Sequence, residues 1–417
     1  QVGFNGFLSA NNYPYYGLQI SNKNAEIKNY VLQVNTGYKL NDKQLLYIKA
    51  LYNNSDRNTP GTLYTSSLAN LVYETRNLLV GWEQIKKHYR SELKMAYLKE
   101  DYNYIFSKNK PEYFSDNGTK KWITNYDFNY YFNTKLLWQA GVNYELLVGK
   151  GTDIQASKQH KTAFFTALHH ELTEKFSYNL NIRKDWSSVY KIPIVFSIAS
   201  KQAWSEQHTT KFNFSTNYRI PTFNDLYWKP GGNLELIPEK NWSAEIAYEW
   251  KIPKTLNVKG KSNNSMGVNV YKSHSTNLIQ WKPVTGTLWQ PFNIQNVTTL
   301  GYEVELEKHF VIKKHAFSLH SQYSYTLSKD LETQKQLIYS PKHIGKILLN
   351  YVYKKWYFDF NEQYVGAVYT TTSNTESLKA YWLSNIRVKR GFFNQKFEFG
   401  MDINNIFNRN YQIVSAR

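Results

Sequence analysis

Three groups of side chains in this 417-residue sequence are of types that do chemistry. Glu303, Glu305 and Glu307 place carboxylates at alternate positions, and a pair of carboxylates is the machinery of glycoside hydrolysis. His169 and His170 are adjacent, and imidazole is a common metal ligand. Asp153, Asp185 and Asp330 are expected in loops, where carboxylates can take a divalent cation. None of the three reads as a site. Alternate glutamates on a strand share one face, and a hydrated polar wall explains them. Neighbouring residues on a strand point to opposite faces, so the two histidines cannot hold one ion. The aspartates lack the spacing of a calcium loop. There is no glycine-rich phosphate loop and no nucleophile elbow. Cysteine is absent, which removes disulfides and thiolate metal sites. The chain is not expected to be an enzyme, and no metal or cofactor is assigned to it.

What remains is a set of aromatic and amide side chains expected in the segments between strands: Tyr227, Trp228, Trp281, Trp289, Asn293 and Tyr369. Rings that stack and amides that hydrogen-bond suit capture of a large, polar-rimmed small molecule. Taken singly, each is better explained as an interfacial or loop-packing residue.

The elements that would position them have period two. In 394–404, Phe397, Phe399, Met401 and Ile403 share one face, and Lys396, Glu398, Gly400, Asp402 and Asn404 the other. Segment 122–133 sets Trp122, Thr124, Tyr126, Phe128, Tyr130 and Phe132 against Ile123, Asn125, Asp127, Asn129, Tyr131 and Asn133. Such alternation marks strands with two unlike faces. Hydrophobic residues make up 41% and mean hydropathy is −0.60, too polar for several dry cores. Aromatics reach 17%, as girdled membrane barrels require. No run approaches the roughly 18 apolar residues of a spanning helix; the longest, 192–199, has strand length. Formal charge is +19. Attraction to nucleic acid or to lipopolysaccharide phosphates is one explanation, and a Lys-rich proteome filling turns is the bland one. The basic residues are scattered in pairs (Lys86 and Lys87, Lys120 and Lys121, Lys313 and Lys314, Lys354 and Lys355, Lys389 and Arg390), mostly in short turns. They form no stripe interleaved with aromatics, so no nucleic-acid partner is expected.

Connections alternate between short (near 41–42, 85–89, 133–135, 173–175, 311–314, 353–355 and 390–394) and long (near 54–69, 107–120, 147–159, 219–240, 282–296, 328–341 and 366–378). Tight turns on one rim and long loops on the other define an up-and-down membrane barrel. About nineteen strands are expected, an odd number, and 410–417 falls where a loop should return into another strand. Most prolines fall in loops or strand ends.

Segment 217–239 carries the most specific pattern. Arg219, Pro221, Thr222, Leu226 and Tyr227 form one box; Gly232, Asn233, Leu236, Pro238 and Glu239 form a second. Here the chain resembles the TonB-dependent outer-membrane transporters, most closely their cobalamin and siderophore receptor branch. Asn405, Ile406, Phe407 and Tyr411 resemble a third element of that family, and Gly301 with Glu303 a fourth. The resemblance implies a transmembrane antiparallel up-and-down β-barrel in the outer membrane of a Gram-negative bacterium. It also implies active uptake of a scarce nutrient, with outer loops capturing cargo. Residues 1–417 then read as the barrel domain with about 19 of ~22 strands: the plug, the first strands and the last strand have no counterpart. Implied partners are TonB (through the plug), cobalamin or a ferric siderophore, lipopolysaccharide and outer-membrane lipids, and a surface lipoprotein. The paired boxes and the expected loop Asn53–Gly61 look most like the cobalamin branch. Ferric-siderophore uptake is the alternative, with haem weaker because no His lies between the boxes. A non-transporting barrel, either an adhesin scaffold or an enzyme, is the competing class.

Overall fold

The computed structural model describes residues 1–15, 20–61, 65–253, 264–285 and 288–414. Nineteen strands form one sheet, each antiparallel to the next along the chain. They begin with β1 (Val2–Ser9), β2 (Ile27–Asn41), β3 (Gln44–Thr59), β4 (Ala69–Ile85), β5 (Tyr89–Ile105) and β6 (Phe114–Tyr131). Next come β7 (Leu136–Gly151), β8 (Ser157–Glu171), β9 (Phe176–Ser187), β10 (Ile194–Ala203), β11 (His208–Arg219) and β12 (Glu239–Lys251). β13 (Ser265–Thr285), β14 (Leu288–Ile312), β15 (His315–Asp330), β16 (His343–Tyr353) and β17 (Trp356–Val365) follow. A two-residue pair, β18 (Val368–Tyr369) and β19 (Ser377–Leu378), sits apart in the following loop; β20 (Tyr381–Phe392) and β21 (Phe397–Ile403) then complete the sheet. The expected strand count and up-and-down order are what is found. The last three residues of 410–417 lie outside the described residues.

The expected face assignment also holds. Only ten apolar side chains, glycine and proline aside, are buried among the described residues. A soluble domain of this size would need many more. Leu78, Val80, Met95, Trp122, Tyr126, Val142, Ile182 and Ile246 are instead exposed along the outward face. The other face carries a ladder of paired charges across β5 to β8: Glu92–Lys94 at 3.2 Å, Lys94–Asp127 at 3.1 Å, Lys121–Glu145 at 3.0 Å and Lys161–Glu145 at 3.4 Å. This polar face is the concave one. Phe223, from the loop between β11 and β12, reaches it on β7, where a Cβ at Gly149 would lie 2.6 Å from the ring.

Histidine–tyrosine pairs mark both ends of the outward face. His160–Tyr144 (2.8 Å) and His343–Tyr323 (2.8 Å) lie toward the long loops. His170–Tyr178 (3.0 Å), His208–Tyr248 (2.6 Å) and His315–Tyr351 (2.7 Å) lie toward the short turns. His160 and His170 stand on one strand, ten residues or ~33 Å apart along it. A strand tilt of about 40° reduces this to ~25 Å, the height of the apolar band of a membrane barrel. Polar tips on apolar bodies suit the two interfaces.

A second device shapes the inner face. Tyr47 on β3 lies across Gly81 of β4, its register partner, and its hydroxyl donates to Glu92 on β5. Tyr271 on β13 likewise crosses Gly301 of β14 to meet Thr326 of β15 at 2.6 Å. Phe165 on β8 covers Gly141 of β7. A side chain at any of these glycines would collide with the ring.

Several boundaries differ from expectation. Segments 282–285 and 288–296, expected as loop, extend β13 and β14 as a hairpin, because pairing with β12 stops at Thr276 and pairing with β15 at Val297. Pro283 and Pro291 therefore lie in strands, but in an arm whose outer backbone groups face no third strand. Asn53–Thr59 belong to β3, Asp185 to β9 and Asp330 to the end of β15, so only Asp153 of the three aspartates is in a loop. Lys120, Lys121, Lys389 and Arg390 lie within strands rather than turns.

Candidate functional site

The loop 220–238 organises the long-loop rim. Arg219 ends β11 opposite Glu239, which begins β12; Arg219 Nε donates to Glu239 Oε2 at 2.8 Å. Beyond them Thr222 caps a five-residue helix, α1 (Phe223–Tyr227). The Asp225 amide donates to Thr222 Oγ1 at 3.2 Å, and Thr222 N returns a bond to Asp225 Oδ2 at 2.8 Å, a reciprocal capping box. The signal for it, Thr-x-x-Asp, is present in the sequence, within a proline-punctuated segment whose expected state is loop.

Asp225 then does more than cap. Its other oxygen, Oδ1, accepts from Trp281 Nε1 at 3.0 Å, which ties α1 to the β13–β14 arm. Asn233 Nδ2 donates to the Pro291 carbonyl at 3.0 Å. Asn293 accepts from Ile237 N at 2.8 Å and donates to the carbonyls of Ile237 (2.9 Å) and Asn277 (2.7 Å). Glu239 Oε1 accepts from Ile279 N at 2.8 Å. At Gly231 a Cβ would strike the Trp289 carbonyl, so only glycine allows this approach. Both boxes are thus a clamp between loop and arm: Arg219, Thr222, Asn233 and Glu239 supply polar ties, and Pro221, Leu226 and Pro238 are buried.

On its other side the loop meets residues 152–156. Trp228 forms a β-bridge with Ile154, and Lys229 N donates to the Asp153 carbonyl at 2.7 Å. Asn117 Oδ1 holds the amides of Asp153 (3.2 Å) and Ile154 (3.1 Å). Of the ten buried apolar side chains, Ile154, Phe223, Leu226 and Leu236 belong to these two loops and Ile192 to the connection between β9 and β10. The mouth is therefore a built structure. Tyr190, between β9 and β10, has a solvent-shielded hydroxyl with no hydrogen-bond partner. Burial, with Tyr227 and Asp225 nearby, holds its proton well above the usual phenol range.

The residues expected to bind cargo separate into three kinds. Trp281 and Asn293 have their polar atoms committed to the clamp, so they position the mouth. Tyr227, its ring tilted against that of Phe223 at 5.1 Å, and Trp228 lie at the meeting of the two loops, while Trp289 stays 53% exposed on the arm. Tyr369 is elsewhere: its carbonyl accepts from Tyr339 N at 2.9 Å, in the loops after β15 and β17. Those loops and the arm enclose a cleft of about 300 Å³ lined by Gln280, Lys282, Lys335, Gln336 and Ser373. Sequence reading missed Tyr190 and Asp225, since their neighbours lie far along the chain.

The third box is also a structural turn. Asn405, at φ 51°, exchanges bonds with Arg409 N (2.9 Å) and Arg409 O (3.0 Å), and Tyr411 packs on Tyr381 at 4.8 Å. Phe407 is exposed. His169 and His170 face opposite ways, toward Asn179 and Tyr178. Among the described residues no cluster of three or more metal-ligating side chains occurs.

Comparison with known proteins adds three observations. Vitamin B12 transporter BtuB of Photobacterium profundum is 24% identical over 306 residues, 70% of this chain and 47% of that protein. BtuB of Vibrio vulnificus is 24% identical over 263 residues, 63% of this chain and 40% of that one. The chain thus spans about half the length, or less, of the curated relatives it matches. Among solved structures, the ferric enterobactin receptor PfeA of Pseudomonas aeruginosa superposes with TM-score 0.76 at 15% identity, covering 96% of this chain and 67% of that one. Copper transporter OprC gives 0.79 at 11% identity, covering 99% and 70%. These two share the fold, whatever each carries. A family model described as TonB dependent receptor-like, beta-barrel, matches residues 2–406, and with the inside-out sheet and its clamped mouth this establishes that the chain belongs to the TonB-dependent receptor β-barrel family.

Proposed function

We propose that residues 1–417 are the barrel wall of an outer-membrane transporter energised through TonB, and that its cargo is cobalamin. The observation that carries the cargo assignment is the 24% identity over 306 residues to a protein named as a vitamin B12 transporter. The mouth supports it. Tyr227, Trp228, Trp289 and the shielded Tyr190 offer rings and a hydroxyl around a clamped loop, a surface suited to a corrin macrocycle with amide arms. A loop already ordered before binding loses less entropy on capture. Cargo then passes along the charged inner face once TonB, acting through a plug within the wall, opens the path. Lipopolysaccharide surrounds the long-loop half of the wall, and a surface lipoprotein is a further candidate partner above the mouth. No covalent chemistry is part of the proposal.

The test is equilibrium binding to the full-length protein, using cyanocobalamin against a panel of ferric siderophores. Saturable cobalamin binding is expected. Tight binding of a ferric chelate with none of cobalamin would transfer the assignment to siderophore uptake and leave the transporter class standing.

A further inference from the structure

The two rims of the wall differ in charge. The short turns 42–43, 86–88, 132–135, 172–175, 204–207, 313–314, 354–355 and 393–396 contain ten lysines and three acidic residues. The long-loop connections, about four times as many residues, carry eight basic and seven acidic ones. All ten turn lysines are exposed, and none is held in an ion pair among the described residues.

Two features show that these lysines are not there for the turns themselves. Lys313 and Lys354 adopt φ values of 56° and 55°, the left-handed region where glycine or asparagine fits without strain. Several basic groups also lie over outward-facing rings. Lys86 Nζ is 5.4 Å from the Tyr89 centroid, Lys354 Nζ is 5.2 Å from that of Tyr353, and the Arg390 guanidinium is 4.7 Å from Trp356. Cations anchored on interfacial rings are held at the depth of lipid headgroups. The belt of His170, His208 and His315 marks that same end of the outward face.

We propose that the short-turn rim is a binding belt for anionic phospholipids, in which the pairs Lys86–Lys87, Lys313–Lys314 and Lys354–Lys355 hold headgroup phosphodiesters. The proposal rests on the membrane-barrel reading above. Each basic group at such a surface attracts acidic lipid, and the attraction falls off within a Debye length.

The test places full-length protein in nanodiscs with phosphatidylglycerol as the minority lipid in phosphatidylcholine. Insertion is read by protease protection, and retained lipid by native mass spectrometry. Phosphatidylglycerol is expected to be enriched several-fold around the native protein and to fall with added salt. Changing the six lysines to Gln is expected to reduce enrichment about tenfold. Changing Lys108, Lys110, Lys342 and Lys379 to Gln, on the opposite rim, should leave it as it was. Enrichment that ignores salt, survives in the six-lysine variant, or is lost equally in the opposite-rim variant overturns the belt while insertion stands. Failure of the native protein to insert would sink the barrel reading itself.

Discussion

Replacing Asp225 with Ala should loosen the mouth without loosening the wall. The carboxylate, in a residue only 6% exposed, accepts from Thr222 N at 2.8 Å, Thr222 Oγ1 at 2.8 Å and Trp281 Nε1 at 3.0 Å. A hydrogen bond to a charged acceptor contributes about 1.5–3 kcal/mol. The Arg219 contact, at 3.8 Å with the guanidinium 46% exposed, adds at most about 1 kcal/mol. Thr222 regains water when the cap is lost, so the net loss is about 3 kcal/mol, roughly a hundredfold in the opening equilibrium. Hydrogen–deuterium exchange should therefore accelerate about a hundredfold in peptides covering 220–238 and 277–296, while β2 to β8 exchange as before. Asp225→Asn keeps an acceptor for Trp281 and should fall between, near tenfold. Unchanged exchange in 277–296 of the Ala variant would show that Asp225 does not couple loop to arm. So would protection lost evenly across the sheet.

Three further outcomes follow from the same geometry. Asn293→Ala removes two bonds between arm and loop and one within the arm, and should weaken cargo binding at least about tenfold; unaltered affinity would mean that the arm's placement is irrelevant to capture. Tyr190→Phe deletes a shielded hydroxyl without a partner and should raise the mouth's resistance to proteolysis by about 1 kcal/mol, whereas a loss would reveal a bond that the hydroxyl makes. Gly81→Ala puts a Cβ within 2.6 Å of the Tyr47 ring and should lower thermal stability by about 1–3 kcal/mol. Adding Tyr47→Ala to it should recover most of that loss, and a double variant no better than the single would assign the damage to the backbone.

The wall was legible in the sequence because each strand reports its two faces locally, as Phe397, Phe399, Met401 and Ile403 do in β21. The mouth was legible only in part. Residues 282–296 look like loop because Pro283, Pro291, Thr and Gln dominate them, and composition cannot show that an arm lacks outer neighbours and so tolerates proline. The two boxes at 219–239 were found as a pattern, but their role as a clamp depends on partners 56 residues away, Trp281 for Asp225 and Asn293 for Ile237. For the same reason the ties of Trp281 and Asn293 are invisible in the sequence: an indole or amide looks wholly available until its partner is seen.

The rings laid over Gly81, Gly141 and Gly301 bear on what the conduit can admit. An aromatic side chain standing upright from the inner wall would narrow the bore. One lying across a neighbour's bare backbone adds to the thickness of the wall instead. Each such pair gives back free cross-section for a bulky traveller, and at Gly81 and Gly301 the tyrosine hydroxyl that reaches the third strand also braces the staves around it.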